Sequence, residues 1–260
     1  MTMTKAIDLL NPEVMADAIG AELENKIRFA PYAKIDTTLV GRAGDTITRP
    51  KYAYIGPAES LTEGVPMDTS KLSMTTTTVT VKEAGKAVEV TETAILTNVN
   101  GTMSEAQKQI GMSIADKLEM DYIASMGETL LTLAKAPTVA ENIIDAIAIF
   151  NDEDVEDYIL FISPADYTTL HKSMIVGNTF LSMSQIAELL GLKEIVRTNR
   201  VEVGTAFLQK QDAVEIVYKK RPELKADEDI LARTVVMAGN TFYTTNLYNE
   251  GGVVKIKAGA

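Results

Sequence analysis

The sequence predicts an α+β protein in which a long two-stranded β-arm lies between an N-terminal helix and a compact body. Apolar residues recur at three- and four-residue spacings over residues 11–30, and every four residues over 104–126, which predicts two amphipathic helices. Residues 35–96 between them are rich in threonine and valine and show no helical periodicity. Beyond residue 136, short apolar runs alternate with helical patterns, which predicts an α/β unit.

The first predicted helix begins after Asn11, with Pro12 at its first helical position. Within the arm, residues 44–52 predict a strand that Pro50 keeps at a sheet edge. Residues 57–70 form a polar tip, and residues 71–91 a return strand. Because an isolated two-stranded hairpin is marginally stable in water, we expect the arm to be stabilised by a neighbouring copy. The threonine run within the return strand is explained by β-propensity on a solvated strand.

The return strand changes the parity of its apolar residues. Val79 and Val81 share one parity, and Val88 and Val90 have the other. An extra residue is needed to change parity within one strand, so we expect a bulge or twist at Gly85.

The longest helical pattern follows the arm. Thr102 and Glu105 form a capping box, and Gly127 predicts an end or kink because glycine is unfavourable inside helices. The predicted buried stripe of this helix consists of Ala106, Ile110, Ile114, Leu118, Tyr122 and Met126. A buried helix of any α/β domain would have the same pattern.

Three helices and several strands are predicted in the rest of the chain. The helices cover 141–150, a segment that begins at Ser163 and Pro164, and 184–190. The strands cover 158–162, 195–203, 205–208, 214–218, 233–237, 241–248 and 253–257. We expect 214–218 to pair with 233–237 across a polar turn at 222–229, and the last two strands to complete a small sheet.

Composition excludes several classes of function. The chain of 260 residues has an ordinary globular composition, and it contains no cysteine, so disulfides and thiolate chemistry are excluded. A net charge of -11 disfavours specific DNA binding, which depends on Lys and Arg contacts to phosphates. No apolar run spans a membrane and no signal peptide is evident, so we expect a protein kept in the cytoplasm.

No motif specifies a reaction, and we predict no enzyme activity, metal site or cofactor. The single histidine, His171, lies near Asp166 and Ser173 in the sequence, and its role is either structural or that of a catalytic base. The acidic cluster at 152–157 lacks the glycine and glutamate of a calcium loop, so we interpret it as a solvated connection.

The order of these elements, with several local segments, resembles the major capsid proteins of tailed bacteriophages, whose fold is named for phage Hong Kong 97 and is shared by encapsulins. The segments are NPEVM at 11–15, IRFAP at 27–31, GDTITRPKY at 44–52, YILFISPADY at 158–167 and GGVVKI at 251–256. The resemblance implies a structural subunit of an icosahedral head that encloses double-stranded DNA. An encapsulin-type shell is the main alternative, and a hydrolase or a tail or ring protein the weaker ones.

The resemblance also implies a division of the chain. Residues 1–34 would form the N-terminal arm, 35–96 the extended loop, 97–136 the peripheral domain with its spine helix, 137–234 the axial domain, and 235–260 strands that return to the peripheral domain. Charged residues of the loop would contact other subunits, namely Arg49, Lys51, Glu59, Glu63 and Lys71. Lysines at 51 and 71 and Asn246, Asn249 and Glu250 supply the residues of the Lys–Asn crosslinks that some members form.

The implied partners are other copies, in hexamers and pentamers, together with a separate scaffolding protein and a portal protein. No scaffolding segment of about a hundred residues precedes residue 11, so scaffold would come from another chain or would not be needed. Packaged DNA would be contacted non-specifically, and no membrane partner is implied. The resemblance implies assembly in the bacterial host cytoplasm and a final location in the virion capsid.

Overall fold

The computed structural model describes residues 27–52, 55–58, 60, 66–67, 69–97, 102–153, 157–174 and 182–259. Its strands are β1 (Lys34–Asp36), β2 (Thr46–Tyr52), β3 (Met74–Thr80), β4 (Lys82–Thr91), β5 (Leu131–Leu133), β6 (Tyr158–Ile162), β7 (Glu194–Arg197), β8 (Thr205–Lys210), β9 (Val214–Asp229), β10 (Thr234–Leu247) and β11 (Val253–Lys257). Its α-helices are α1 (Glu92–Thr97), α2 (Thr102–Met126), α3 (Ala140–Ile149), α4 (Pro164–Ser173) and α5 (Met183–Leu189). Short 3-10 helices cover Ala30–Tyr32 and Glu250–Gly252.

A four-stranded sheet in the order β1-β9-β10-β4 carries the long helix α2 on one face. All six residues of the predicted stripe on α2 are buried, which confirms that prediction. The helix approaches the sheet closely at Gly239, where a Cβ atom would lie 2.6 Å from Cγ2 of Ile110. A residue without a side chain is therefore required at this crossing.

A five-stranded sheet in the order β5-β11-β8-β6-β7 forms the second layer. The predicted strand 158–162 is confirmed as β6, which lies between β8 and β7 with all five residues buried. The predicted start of α4 is also confirmed, since the Ser163 side chain accepts the backbone N–H of Asp166. The predicted strand 195–203 is too long, because β7 ends at Arg197.

One apolar core connects the two sheets. The rings of Phe29, Tyr122 and Phe161 pack with centroid separations of 5.4, 5.1 and 6.2 Å. They come from the segment before β1, from α2 and from β6, so the core fixes the helix against both sheets.

The predicted N-terminal helix, residues 11–30, extends too far at its C-terminal end. Its residues 11–26 lie outside the described residues, and residues 27–29 are not helical. Residues Ala30–Tyr32 form a single 3-10 turn, and Pro31 lies at its start, where the missing N–H leaves no helical hydrogen bond unmade. Ile27 and Phe29 are buried in the core, so this stretch is part of the body.

The arm in the structure is shorter than the predicted range 35–96, and the predicted return strand is divided into two strands. Among the described residues, β2 and β3 pair only with each other, whereas β1 pairs with β9 and β4 pairs with β10. The division falls at Val81, whose backbone N–H donates to the carbonyl oxygen of Asp45 over 2.7 Å. The predicted bulge at Gly85 is wrong, because the parity change arises where the chain leaves one sheet and enters another.

The predicted pairing near the C-terminus is also wrong. Strands β9 and β10 form one long hairpin in which Val214 lies opposite Leu247, and residues 222–229 belong to β9. Pro222, which has no N–H to donate, lies where the register shifts beside Phe242. The predicted small sheet of 241–248 and 253–257 does not form, since β10 and β11 lie in different sheets.

Candidate assembly interface

The hairpin of β2 and β3 is the part of the described chain that is least covered by the rest of the subunit. Its register runs from Thr46 opposite Thr80 to Tyr52 opposite Met74. Only the base is packed, where Ile47 lies against the buried Val81 and neighbouring apolar residues of the body. The arm therefore has an apolar anchor at one end and little cover of its own along its length.

An ion cluster fixes the base of the arm to the four-stranded sheet. The guanidinium of Arg49 on β2 donates from Nη2 to Oε1 of Glu215 over 2.6 Å and from Nε to Oε2 over 3.2 Å. The same guanidinium is paired with the carboxylate of Asp36 on β1. The Glu215 side chain has no exposed area, and Arg49 is 23% exposed. This cluster connects β2 of the arm to β1 and β9, the last of which is more than 160 residues away in sequence.

The surroundings of the two carboxylates affect them in opposite directions. Burial raises the pKa of Glu215, although the charge and hydrogen bonds of Arg49 act to lower it. Burial acts to raise the pKa of Asp36 as well, but hydrogen bonds from Thr38 and Arg49 outweigh it and lower that pKa to about 2. Arg49 therefore stabilises the charged form of Glu215 more than that of Asp36, because the Glu215 carboxylate has no access to water.

Several large apolar side chains of the arm are exposed. They are Tyr52, Ile55, Met67, Leu72 and Met74, with exposed fractions between 52% and 68%. Tyr52 and Met74 lie opposite each other at the end of the hairpin. An adjacent pair of exposed apolar groups on a thin hairpin is typical of a surface that another protein covers. The sequence prediction emphasised the charges of the arm and missed these residues, although four of them flank the polar tip in the sequence and Met67 lies within it.

The five charged residues predicted to contact other subunits are only partly described. Arg49 is committed to the ion cluster within its own chain, and Lys71 is exposed. The side chain of Lys51 and the residues Glu59 and Glu63 lie outside the described part of the structure. Their contacts with other copies stay a prediction. Sequence reasoning missed the partners of Arg49, although a glutamate inside the apolar run 214–218 indicates a buried charge.

The residues considered for catalysis are not assembled into a triad. Asp166 Oδ2 accepts hydrogen bonds from Ser163 and from the backbone N–H of Gly204, and the Ser173 hydroxyl donates to the Leu170 carbonyl oxygen. Nε2 of His171 has no hydrogen-bond partner in the described structure. Over the same residues, no three His, Asp or Glu side chains are grouped to hold a metal ion. None of the described helices combines the length and apolar character needed to span a bilayer.

The residues considered for crosslinking lie near the end of the chain. The Asn249 side chain accepts the backbone N–H of Gly251 over 3.1 Å and caps the short 3-10 helix there. Asn246 lies on β10, opposite Glu215. Crosslinking between subunits stays a prediction.

Comparisons with known proteins define the class. The model of a family described as phage capsid protein matches residues 74–256. The major capsid protein of Staphylococcus phage phiMR11 is 32% identical over 266 aligned residues, which cover 99% of this chain and 97% of that protein. The chain therefore belongs to the phage capsid protein family, and it is a structural subunit of a phage capsid.

Solved structures share the fold at much lower identity. The capsid of cyanophage P-SCSP1u superposes with a TM-score of 0.70 at 12% identity, covering 88% of this chain and 87% of that one. A virus-like particle from Pyrococcus furiosus superposes with a TM-score of 0.67 at 12% identity, covering 94% and 98%. The predicted mixed α+β class is confirmed at this level.

Proposed function

We propose that this chain is the major capsid protein of a tailed bacteriophage and self-assembles into an icosahedral head around double-stranded DNA. The observation that carries the proposal is an arm with an anchored base and an exposed apolar length, in a chain of the phage capsid family. Self-assembly requires complementary surfaces and no reaction, so we propose no enzyme activity. Many weak contacts repeated by symmetry would hold the shell together.

We further propose the arrangement found in phage Hong Kong 97. Residues 1–34 would be the N-terminal arm and 97–136 the peripheral domain, with α2 as its spine helix. Residues 137–234 would be the axial domain, and 235–260 the closing strands. The extended loop would occupy 35–96, but only about 45–80 would be free to extend, because β1 and β4 pair with the body.

In this arrangement the arm lies on a neighbouring copy. The exposed Tyr52 and Met74 would be buried there, and burial of apolar area contributes roughly 25 cal/mol per Å². Lys51, Glu59, Glu63 and Lys71 would set the orientation of the contact more than its strength. Arg49 would act differently from these four residues, by attaching the base of the arm to its own subunit.

We propose hexamers and pentamers of this chain, a separate scaffolding protein and a portal protein as partners. Assembly would take place in the bacterial host cytoplasm, and the final location would be the virion capsid. The net charge of -11 favours non-specific enclosure of DNA over tight binding.

Negative-stain microscopy and sedimentation of the purified chain test the proposal. We expect capsomers, sheets or shells far above the 28.2 kDa monomer, and further assembly when scaffold is supplied. Deleting residues 57–70 should leave a folded, soluble subunit that no longer assembles. Normal assembly of the deletion variant would show that the tip of the arm is not needed.

A second variant separates the apolar side chains from the backbone of the arm. It combines Tyr52→Ser with Met74→Ser, which keeps the backbone of the arm and removes its exposed apolar pair. We expect it to weaken assembly without changing the circular dichroism of the subunit. Loss of folded structure in both variants would instead show that the arm stabilises its own subunit.

An encapsulin-type shell is the second candidate, because the fold is shared by a virus-like particle of similar extent. The contents of particles made in cells distinguish the two: nucleic acid packaged through a portal supports the phage head, and an enclosed cargo protein supports the alternative. Tubes or isolated rings in the microscope would support a tail or ring protein.

A further inference from the structure

The hairpin of β9 and β10 ends in an exposed apolar turn, and we call residues 227–233 the hairpin tip. Ile230 and Leu231 occupy the turn, with exposed fractions of 75% and 97%. The backbone N–H of Leu231 donates to Oδ1 of Asp229 over 2.9 Å, so the turn is held by a hydrogen bond of its own. Aliphatic side chains exposed side by side on such a turn indicate a contact with another protein.

The hairpin tip is also acidic. Asp227, Glu228 and Asp229 are exposed at the end of β9, and Arg233 is the one basic residue of the tip. Three carboxylates against one guanidinium leave a net charge of -2. The surface that fits the tip should therefore combine apolar area with positive charge.

A groove with this combination runs along α2. The helix contributes Met112 and Met120, which are 41% and 57% exposed, and the segment 197–200 at the end of β7 forms the opposite wall. Two cavities of about 530 and 640 Å³ adjoin here and form one continuous groove. The residues that line both cavities are Asp116, Asn199 and Arg200.

The cavity of 530 Å³ carries a positive charge. Its charged residues are Arg28, Arg197, Arg200, Asp116 and Glu119. Arg200 is paired with both carboxylates, with 2.7 Å between its Nη1 and Oε2 of Glu119. Arg197 lies with its guanidinium 5.2 Å from the Tyr167 ring centroid and forms no ion pair within the described part of the chain. Three cations against two anions leave a net charge of +1, and Arg197 can receive a carboxylate from outside the subunit.

The hairpin tip points away from the groove of its own subunit. Gly239 of β10 lies against Ile110 near the start of α2, and the Ser125 hydroxyl donates to the hydroxyl of Thr245 over 2.8 Å near the end of α2. Strand β10 therefore runs in the same direction as α2. The tip lies about 20 Å before Gly239 along the strand, whereas the groove extends the other way. A tip that enters such a groove must come from a different copy.

We infer that the hairpin tip of one copy docks in the α2 groove of a second copy. Ile230 and Leu231 cover the methionines of the groove, and the carboxylates of the tip face Arg197. The arm fits this groove less well, because Lys51 and Lys71 would add positive charge to it. The contact joins two different surfaces, so it can repeat from copy to copy around a ring or shell. This inference rests on the proposed self-assembly and adds a contact distinct from that of the arm.

Disulfide trapping in assembled particles tests the contact, since the chain has no native cysteine. Leu231→Cys combined with Met112→Cys or with Met120→Cys should give a disulfide between copies in at least one pair. Mixing heavy and light isotope-labelled copies separates bonds between copies from bonds within one copy by mass. Leu231→Cys with Leu189→Cys, which lies on α5 and is 63% exposed, is the control that should give none.

A charge exchange tests the electrostatic part of the contact. Arg197→Glu, and separately Asp227→Lys with Glu228→Lys, should each reduce assembly several-fold at low salt without changing the circular dichroism of the subunit. Combining all three substitutions in one chain should restore assembly, because opposite charges face each other again. The two tip substitutions combined with Lys71→Glu on the arm are the control that should restore nothing. Restoration by that control instead would place the tip against the arm and overturn the inference.

The trapping experiment separates this inference from the proposed function. Shells that form without a disulfide between tip and groove, or with bonds inside single copies alone, would overturn the inference and leave the proposed function intact. Copies joined through these positions in a protein that forms no shell would do the reverse. A protein that gives neither shells nor joined copies would count against both.

Discussion

Arg49→Met would remove the cation that faces Glu215 at the base of the arm. Glu215 would then be left with a charge in a position that has no exposed area. Removing one partner of a buried ion pair costs about 3–5 kcal/mol of stability. Because Arg49 is 23% exposed and Lys34 also acts to lower the pKa of Glu215, we expect about 2–3 kcal/mol here.

The sign of the pH dependence follows from Glu215. Its pKa is already raised by burial, and without Arg49 it would rise further. The charged form is the costly one, so the loss of stability in Arg49→Met should be largest at pH 8 and should shrink as the pH falls and Glu215 is protonated. A double variant with Glu215→Gln should recover most of the loss, since no buried charge remains.

Urea unfolding followed by circular dichroism measures these differences, since the chain contains no tryptophan for fluorescence. Lys117→Met is the matched control, because Lys117 and Asp121 form an ion pair of 2.6 Å that is exposed on α2. Exposed pairs contribute about 0–1 kcal/mol. If Arg49→Met costs no more than Lys117→Met, or if Glu215→Gln restores nothing, the cluster does not hold the arm to the body.

Three further predictions concern single side chains. Asp36→Asn should lower the free energy of unfolding by about 1–2 kcal/mol above pH 4, and the difference from the unmodified protein should vanish as the pH falls to about 2, because the pKa of Asp36 is lowered in the folded state. Gly239→Ala should lower the Tm and cost about 1–3 kcal/mol, since the new methyl group would lie 2.6 Å from Ile110 Cγ2. Tyr122→Phe should cost about 1–2 kcal/mol in urea unfolding, because it removes the buried 2.8 Å hydrogen bond to Gln209.

Each of these predictions has a matched control. Thr38→Ala removes one donor to Asp36 and should reduce the pH-dependent difference that Asp36→Asn reveals. Gly259→Ala adds a methyl group where nothing lies within 4 Å, so the Tm should not change. Tyr52→Phe removes a hydroxyl from a side chain that is 62% exposed and should leave stability unchanged. A control that costs as much as its variant would contradict the reasoning for that site.

Local patterns were sufficient to predict three features of the body, which are the buried face of α2, the strand β6 and the start of α4. The four-residue stripe of α2 predicts a helix buried on one side, and the run from Tyr158 to Ile162 predicts a strand buried on both faces. Ser163 marks the start of α4 because its side chain caps that helix. Each of these features is decided by residues within a few positions of each other.

Pairing between distant strands was not predictable in the same way. Strand β4 lies against β10, so Val90 pairs with Val235, and no local pattern identifies that partner. The change of parity after Val81 did indicate a break, but a bulge and a change of sheet have the same sequence signature. Arg49 and Glu215 are 166 residues apart, so the ion cluster emerges only from the fold.

The short junction at Val81 couples the orientation of the arm to that of the four-stranded sheet. A single residue separates β3 from β4, so the arm continues directly into a strand of the four-stranded sheet. The seven residues of each arm strand extend about 23 Å, so a tilt of about 10° at Val81 would displace Tyr52 and Met74 by about 4 Å. Small adjustments in the body of one subunit would thus become large displacements where it meets another, and one sequence could fit neighbours set at different angles.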